Sequence, residues 1–256
     1  MTTVRGACRL ALAVAVAAWI EGAAIAQSRT ARTVRFESPA LGSQATVAVL
    51  LPPGYDASEK RYPVLYLLHG GSHNHTAFPA RVWFAKEASR HDMIVVMPHV
   101  PPVFFTGRGD APPAFEAFIA RDLTGYVDAT YRTIPSPRGR GVAGISMGGF
   151  AAAIVGLTHY DTFGSVGAIS AALTGARRQQ QIDALVAGLP ADRAPYIYIA
   201  CGAQDPVAPA SRRLAGLLAA RSIPHEYKDV PGDHSWAVWD PHVQAFFERF
   251  AARRQP

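Results

Sequence analysis

The chain has 256 residues, of which 49% are hydrophobic and 17% charged, and a formal net charge of +6. That length suits one domain with a substantial core, and the apolar content excludes wholesale disorder. The basic residues form nothing longer than pairs such as Arg177-Arg178 and Arg212-Arg213, and no nucleic-acid motif accompanies them. Scattered arginines on a solvated surface, rather than a nucleic-acid partner, are the expectation.

Arg5 and Arg9 precede an apolar run over residues 10–20, and Ala24-Ile25-Ala26 follows with small side chains. This is the pattern of a signal peptide over residues 1–26, cleaved before Gln27. The competing reading is a membrane anchor, but Glu21 ends the run short of the roughly 20 apolar residues a span needs. An exported protein, periplasmic or secreted, with no stable membrane anchor after cleavage is expected. Cys8 would leave with the signal, so Cys201 would remain alone and no internal disulfide could form.

Residues 46–51 read as a strand closed by the turn signal Pro52-Pro53-Gly54. Residues 64–68 are continuously apolar, as in strands buried on both faces, and residues 93–97 repeat the pattern. A short helix is predicted over 83–90 and a longer one over 115–131, with Phe118, Ile119, Leu123, Tyr126 and Val127 at helical spacing. Residues 142–145 form a strand before a helix over 147–157. Strands over 165–170, 196–201 and 226–230 continue the series, with helices over 211–221 and 241–253. This alternation predicts an α/β fold with a mostly parallel sheet covered on both faces, over residues 27–256. Residues 98–113, with five prolines, and 175–195 read as long loops. Such loops either bind substrate at the carboxyl ends of strands or are plain surface excursions.

Gly144-Ile145-Ser146-Met147-Gly148-Gly149 is a G-x-S-x-G nucleophile-elbow pattern between a predicted strand and a predicted helix. Side chains at Gly144 and Gly148 would collide across the turn, and the helix start offers N–H groups and a positive dipole end beside Ser146. A serine hydroxyl needs a base within reach and a group to orient that base. Among nine histidines, His234 lies after the last predicted strand, the place of the base in the order serine, acid, histidine. His225 and His242 are its competitors. Asp205 follows the buried strand over 196–201 and is the candidate acid, with Asp229 and Asp233 as alternatives. Asp183 and Asp192 fall in a predicted loop and are expected to be solvated. Met147 and Gly71 are the candidate oxyanion-hole N–H donors, with His69 as a support of the Gly70-Gly71 loop rather than a second base.

The run Tyr62-Pro63-Val64-Leu65-Tyr66-Leu67-Leu68-His69-Gly70-Gly71, the elbow, Asp205 after Cys201-Gly202, and Gly232-Asp233-His234-Ser235-Trp236 with Trp239 together resemble the esterase D group of α/β-hydrolases. That group includes feruloyl and acetylxylan esterases, S-formylglutathione hydrolases, siderophore esterases and mycolyltransferases. The resemblance runs from about Val34 to the C-terminus. It implies an α/β-hydrolase fold without a large cap, and a serine carboxylesterase using no metal or organic cofactor. It also implies a small-molecule or polysaccharide-linked ester as substrate: a carbohydrate-linked acyl, feruloyl or siderophore ester. An acyltransferase of the mycolyl type, and a non-catalytic binding protein on the same fold, stand as alternatives. Ser72, Phe78, Phe104, Phe105 and Trp236 are candidates to line the pocket, with core packing as the competing role of each aromatic. The loop Ser72-His73-Asn74-His75 is richer in histidine than the resemblance leads one to expect.

Overall fold

The structure, a computed structural model, describes residues 30–100 and 113–253. Among them eight strands form one sheet: β1 (Arg32–Ser38), β2 (Ser43–Leu50), β3 (Val64–Leu68), β4 (Ile94–Pro98), β5 (Arg140–Ile145), β6 (Ser165–Ile169), β7 (Tyr196–Gly202) and β8 (His225–Val230). Their order is β1-β2-β4-β3-β5-β6-β7-β8. The β1–β2 and β2–β4 pairs are antiparallel and every other pair is parallel.

The sequence of the central strands explains their place. β3, β4 and β6 are buried at every position, so both faces carry apolar side chains and no polar alternation appears. Along β3, Val64, Tyr66 and Leu68 enter one core and Leu65 and Leu67 the other. On the first face lie α2 (Pro113–Ala117), a π-helical stretch (Phe118–Leu123), α3 (Thr124–Thr130), α4 (Met147–Thr158), α5 (Ala176–Gly188) and α6 (Ala208–Ala220). The second face is covered by α1 (Phe84–Arg90) and α7 (Trp236–Ala252). Here glycines in the strands make room for aromatics on the helix. A Cβ at Gly141 would lie 3.1 Å from the Phe250 ring, and one at Gly167 would lie 2.9 Å from that of Phe246. Among the described residues no separate helical domain is inserted between the strands, and no helix is long and apolar enough to cross a membrane.

Three elements differ from expectation. Residues 176–188, read as loop, are helix α5. Its first half is polar, and only Ile182 and Val186, one turn apart, are buried, so the apolar period starts too late to register. The last helix begins at Trp236 rather than at Pro241. Pro241 sits in its second turn, where a missing N–H removes a single intrahelical bond. β1 had no prediction, because as an edge strand it is mostly exposed and only Ser38 is fully buried. Most of the predicted 98–113 loop, with Phe104 and Phe105, lies outside the described residues.

Candidate active site

Ser146 links β5 to α4 with φ 54° and ψ −116°. A non-glycine residue holds such a backbone at a cost on the order of 1–3 kcal/mol, and only where its surroundings fix it. They do so here. The Ser146 N–H donates to the Ile169 carbonyl at 2.9 Å, and the Ala172 N–H donates to the Ser146 carbonyl at 3.0 Å. The end of β3 presses on the turn from the other side. A Cβ at Gly144 would lie 2.7 Å from the Leu68 oxygen, and one at Gly148 would lie 2.6 Å from the Leu68 carbonyl carbon. The collision foreseen between the two glycines is real: an added Cβ at Gly144 would also overlap the Gly148 backbone.

The turn aims the Ser146 hydroxyl at His234, with Oγ 2.8 Å from Nε2. On the other side of the ring, Nδ1 lies 2.8 Å from Asp205 Oδ2. A carboxylate only accepts hydrogen bonds, so Nδ1 carries the ring proton and Nε2 is free to accept from the serine. Asp205 is 3% exposed, and its Oδ1 accepts the Val207 N–H at 2.9 Å. The loops bearing the acid and the histidine are tied together. Ala203 N–H donates to Val230, Gln204 N–H donates to Gly232, and the Gln204 side chain accepts the Gly232 N–H. The Trp239 ring meets the His234 ring edge-on, with centroids 4.9 Å apart.

The competitors are engaged elsewhere. His225 Nδ1 bonds the Ile223 carbonyl, and His242 Nδ1 bonds the Tyr198 hydroxyl. Asp229 pairs with Arg212 and Asp183 with Arg213, while Asp233 and Asp192 are exposed.

Gly71 lies against the elbow, where an added Cβ would be 3.9 Å from Met147 Cβ. Among the described residues no protein acceptor takes the Gly71 N–H. The Met147 N–H, first in α4, has no intrahelical acceptor. Two backbone donors without a protein acceptor among the described residues therefore belong to segments in contact at the elbow. The described residues hold no group of His, Cys, Asp and Glu arranged for a metal ion.

A family model described as Putative esterase matches residues 38–250. The chain belongs to that family. An esterase of Mycobacterium tuberculosis is 35% identical over 140 residues, covering 51% of this chain but only 30% of that protein. An acetyl esterase of Caldicellulosiruptor saccharolyticus is 24% identical over 84% of this chain and 96% of its own. Among solved structures, an S-formylglutathione hydrolase of Staphylococcus aureus superposes with a TM-score of 0.73 at 22% identity, covering 87% of this chain and 98% of that one. At that identity the likeness speaks for the α/β-hydrolase fold.

In this esterase family member the loop after β3 is braced by His69, which is 1% exposed. His69 Nε2 accepts the Val100 N–H at 3.0 Å, so the proton sits on Nδ1 and is donated to the Gly70 carbonyl at 2.8 Å. Burial, opposed in part by the Gly70 bond, pushes its pKa down to about 4. The folded protein then takes up this proton near pH 4, the unfolded chain near pH ~6.5. Stability from this group is complete above the unfolded value and lost as pH falls toward 4. The loss expected is about 3 kcal/mol, at 1.36 kcal/mol per pKa unit. Urea unfolding at stepped pH should show this slope in the native chain and a flatter one in His69→Gln.

The candidate pocket residues separate. Trp236 is half-buried beside the histidine loop, with its ring 5.3 Å from those of Trp239 and His73. Arg81, ion-paired with Asp240, stacks on its face at 4.5 Å. Phe78, by contrast, is 1% exposed and packs in the core against Phe84 and the edge of Trp236. It backs the wall and offers no open face to a ligand. Ser72 is exposed on the loop after β3. His73 lies against that same loop, its Nδ1 3.2 Å from a Cβ built on Gly70; sequence reasoning noted the histidines here but assigned them no place.

Proposed function

We propose that the chain is an exported serine carboxylesterase that cleaves a carbohydrate-linked acyl ester by a two-step acyl transfer. The observation that carries this reading is the continuous hydrogen-bonded line Ser146–His234–Asp205, with its serine held at a positive φ. Ser146 Oγ attacks the ester carbonyl while His234 Nε2 takes its proton. The negative charge that develops on the carbonyl oxygen is met by the N–H groups of Gly71 and Met147, preorganised donors that cost no reorganisation as the charge forms. Asp205, buried beside the ring, keeps the imidazole in the right tautomer and stabilises the imidazolium. His234 then gives its proton to the leaving alcohol, and water, deprotonated by the same ring, releases the acid and restores the serine.

The choice of substrate class leans on the acetyl esterase relative, which matches across nearly its whole length. Export leans on the sequence of residues 1–26. One experiment tests the nucleophile and export together. Cells expressing the native chain are fractionated, treated with a fluorophosphonate probe, and the labelled protein is mapped by mass spectrometry. The label is expected on Ser146 of a chain beginning at Gln27 in the periplasm or medium, and absent from Ser146→Ala. Labelling that survives the substitution removes Ser146 as nucleophile. An intact Met1 on membrane-bound protein removes export.

A further inference from the structure

Among the described residues, seven of the 17 arginines are ion-paired. Arg81, Arg90, Arg121, Arg140, Arg212, Arg213 and Arg249 each pair with a carboxylate. Three that do not, Arg138, Arg193 and Arg253, line one cleft of about 730 Å³. Its walls come from the amino-terminal ends of β5, β6 and β7 and from the end of α7. That is the end of the sheet opposite Ser146, which stands past the far end of β5. Six residues of strand at roughly 3.3 Å each put the two sites about 20 Å apart.

Two of the three guanidinium groups are held in place by aromatic faces. Arg253 stacks on Tyr196 with its Cζ 3.7 Å from the ring centroid, and Arg193 stacks on Tyr160 at 5.1 Å. Stacking fixes the plane of a guanidinium and leaves its N–H edge to reach an oxyanion. Among the described residues the one carboxylate lining the cleft is Asp192, and it makes no ion pair with them. Three arginines against one aspartate leave an excess of two positive charges in a concave space. Gathering like charges without a partner is unfavourable, and an anion bound among them would relieve it. The volume lies within the range of small-molecule sites.

We propose that this cleft is a binding site for a small ligand bearing two or more adjacent oxyanions, gripped by Arg138, Arg193 and Arg253. Either phosphate or carboxylate groups satisfy that chemistry. The full chain is titrated calorimetrically, in a low-salt buffer free of phosphate, with pyrophosphate in one arm and a galacturonic acid trimer in the other. Stoichiometric binding in either arm is expected, weakened at least tenfold in the double variant Arg138→Gln/Arg253→Gln and weakened again by added salt. Binding in the first arm alone identifies phosphate as the preferred group, and in the second alone carboxylate. No binding in either arm overturns the site, as does equal binding by the native chain and the variant. Both substituted residues are exposed and far from Ser146, so the variant should keep the native unfolding temperature and ester hydrolysis. The readout is binding, so it stands whether or not the esterase reading holds.

Discussion

Asp205→Asn should lower kcat by about 10⁴-fold with the fold intact, the size expected when a triad imidazole is held in the wrong tautomer. The geometry says which way the new amide would turn. Oδ1 of Asp205 accepts the Val207 N–H, and Oδ2 faces His234 Nδ1. An asparagine keeps the first bond only if its oxygen stays on Val207, which points its NH₂ at the imidazole. Nδ1 must then accept, the ring proton moves to Nε2, and Nε2 can no longer take a proton from Ser146. The residue is nearly isosteric and the Val207 bond survives, so the unfolding temperature should change little. Asp229→Asn and Asp233→Asn provide the comparison. Asp229 is tied to Arg212 at the surface and Asp233 is exposed, so each should retain near-native activity. A larger loss in either of them than in Asp205→Asn would move the acid to that residue.

The site was more legible in the sequence than parts of the fold, for a physical reason. Strands buried on both faces must be written as unbroken apolar runs, and the turns after them need glycine or a polar residue in a strained place. Val64 to Leu68, the Gly144–Gly149 elbow and the Asp205 and His234 loops all follow from such constraints. Helix α5 carries no comparable mark. Two residues, Ile182 and Val186, anchor it, and Gly175 before it offers no side-chain cap. β1 is mostly exposed, and its pairing with β2 is made by backbone groups that leave little trace in side-chain pattern. Pro241 misled in the opposite direction, because a proline near the start of a helix reads as its first residue when it can equally sit one turn in. Phe78 shows the limit for aromatics. Composition and position fit a pocket wall, yet it is buried against Phe84 and Trp236, and the contact with Trp236 is too distant in sequence to be visible there.

Gly148→Ala should be strongly damaging to both fold and activity. The added Cβ would stand 2.5 Å from the His69 carbonyl oxygen and 2.6 Å from the Leu68 carbonyl carbon. Both are backbone, at the end of a fully buried strand, so no flexible side chain can swing aside. Either α4 lifts away from β3 or the Gly70-Gly71 loop moves, and each outcome separates the Gly71 N–H from Ser146. Overpacking of this kind costs typically 1–3 kcal/mol and occasionally more, and with rigid backbone on both sides about 3 kcal/mol is expected. Gly216→Ala, the same chemical change in α6, has nothing within 4 Å of the new carbon. There alanine's helix preference should raise stability by about 0.5–1 kcal/mol. Urea unfolding and kcat/KM on a nitrophenyl ester, measured for both variants, check the contrast. Opposite signs in stability, with activity lost only in Gly148→Ala, are the expected result. A Gly148→Ala protein with native stability and turnover would mean that the end of β3 does not pack on the elbow as described, and that the oxyanion donors lie elsewhere.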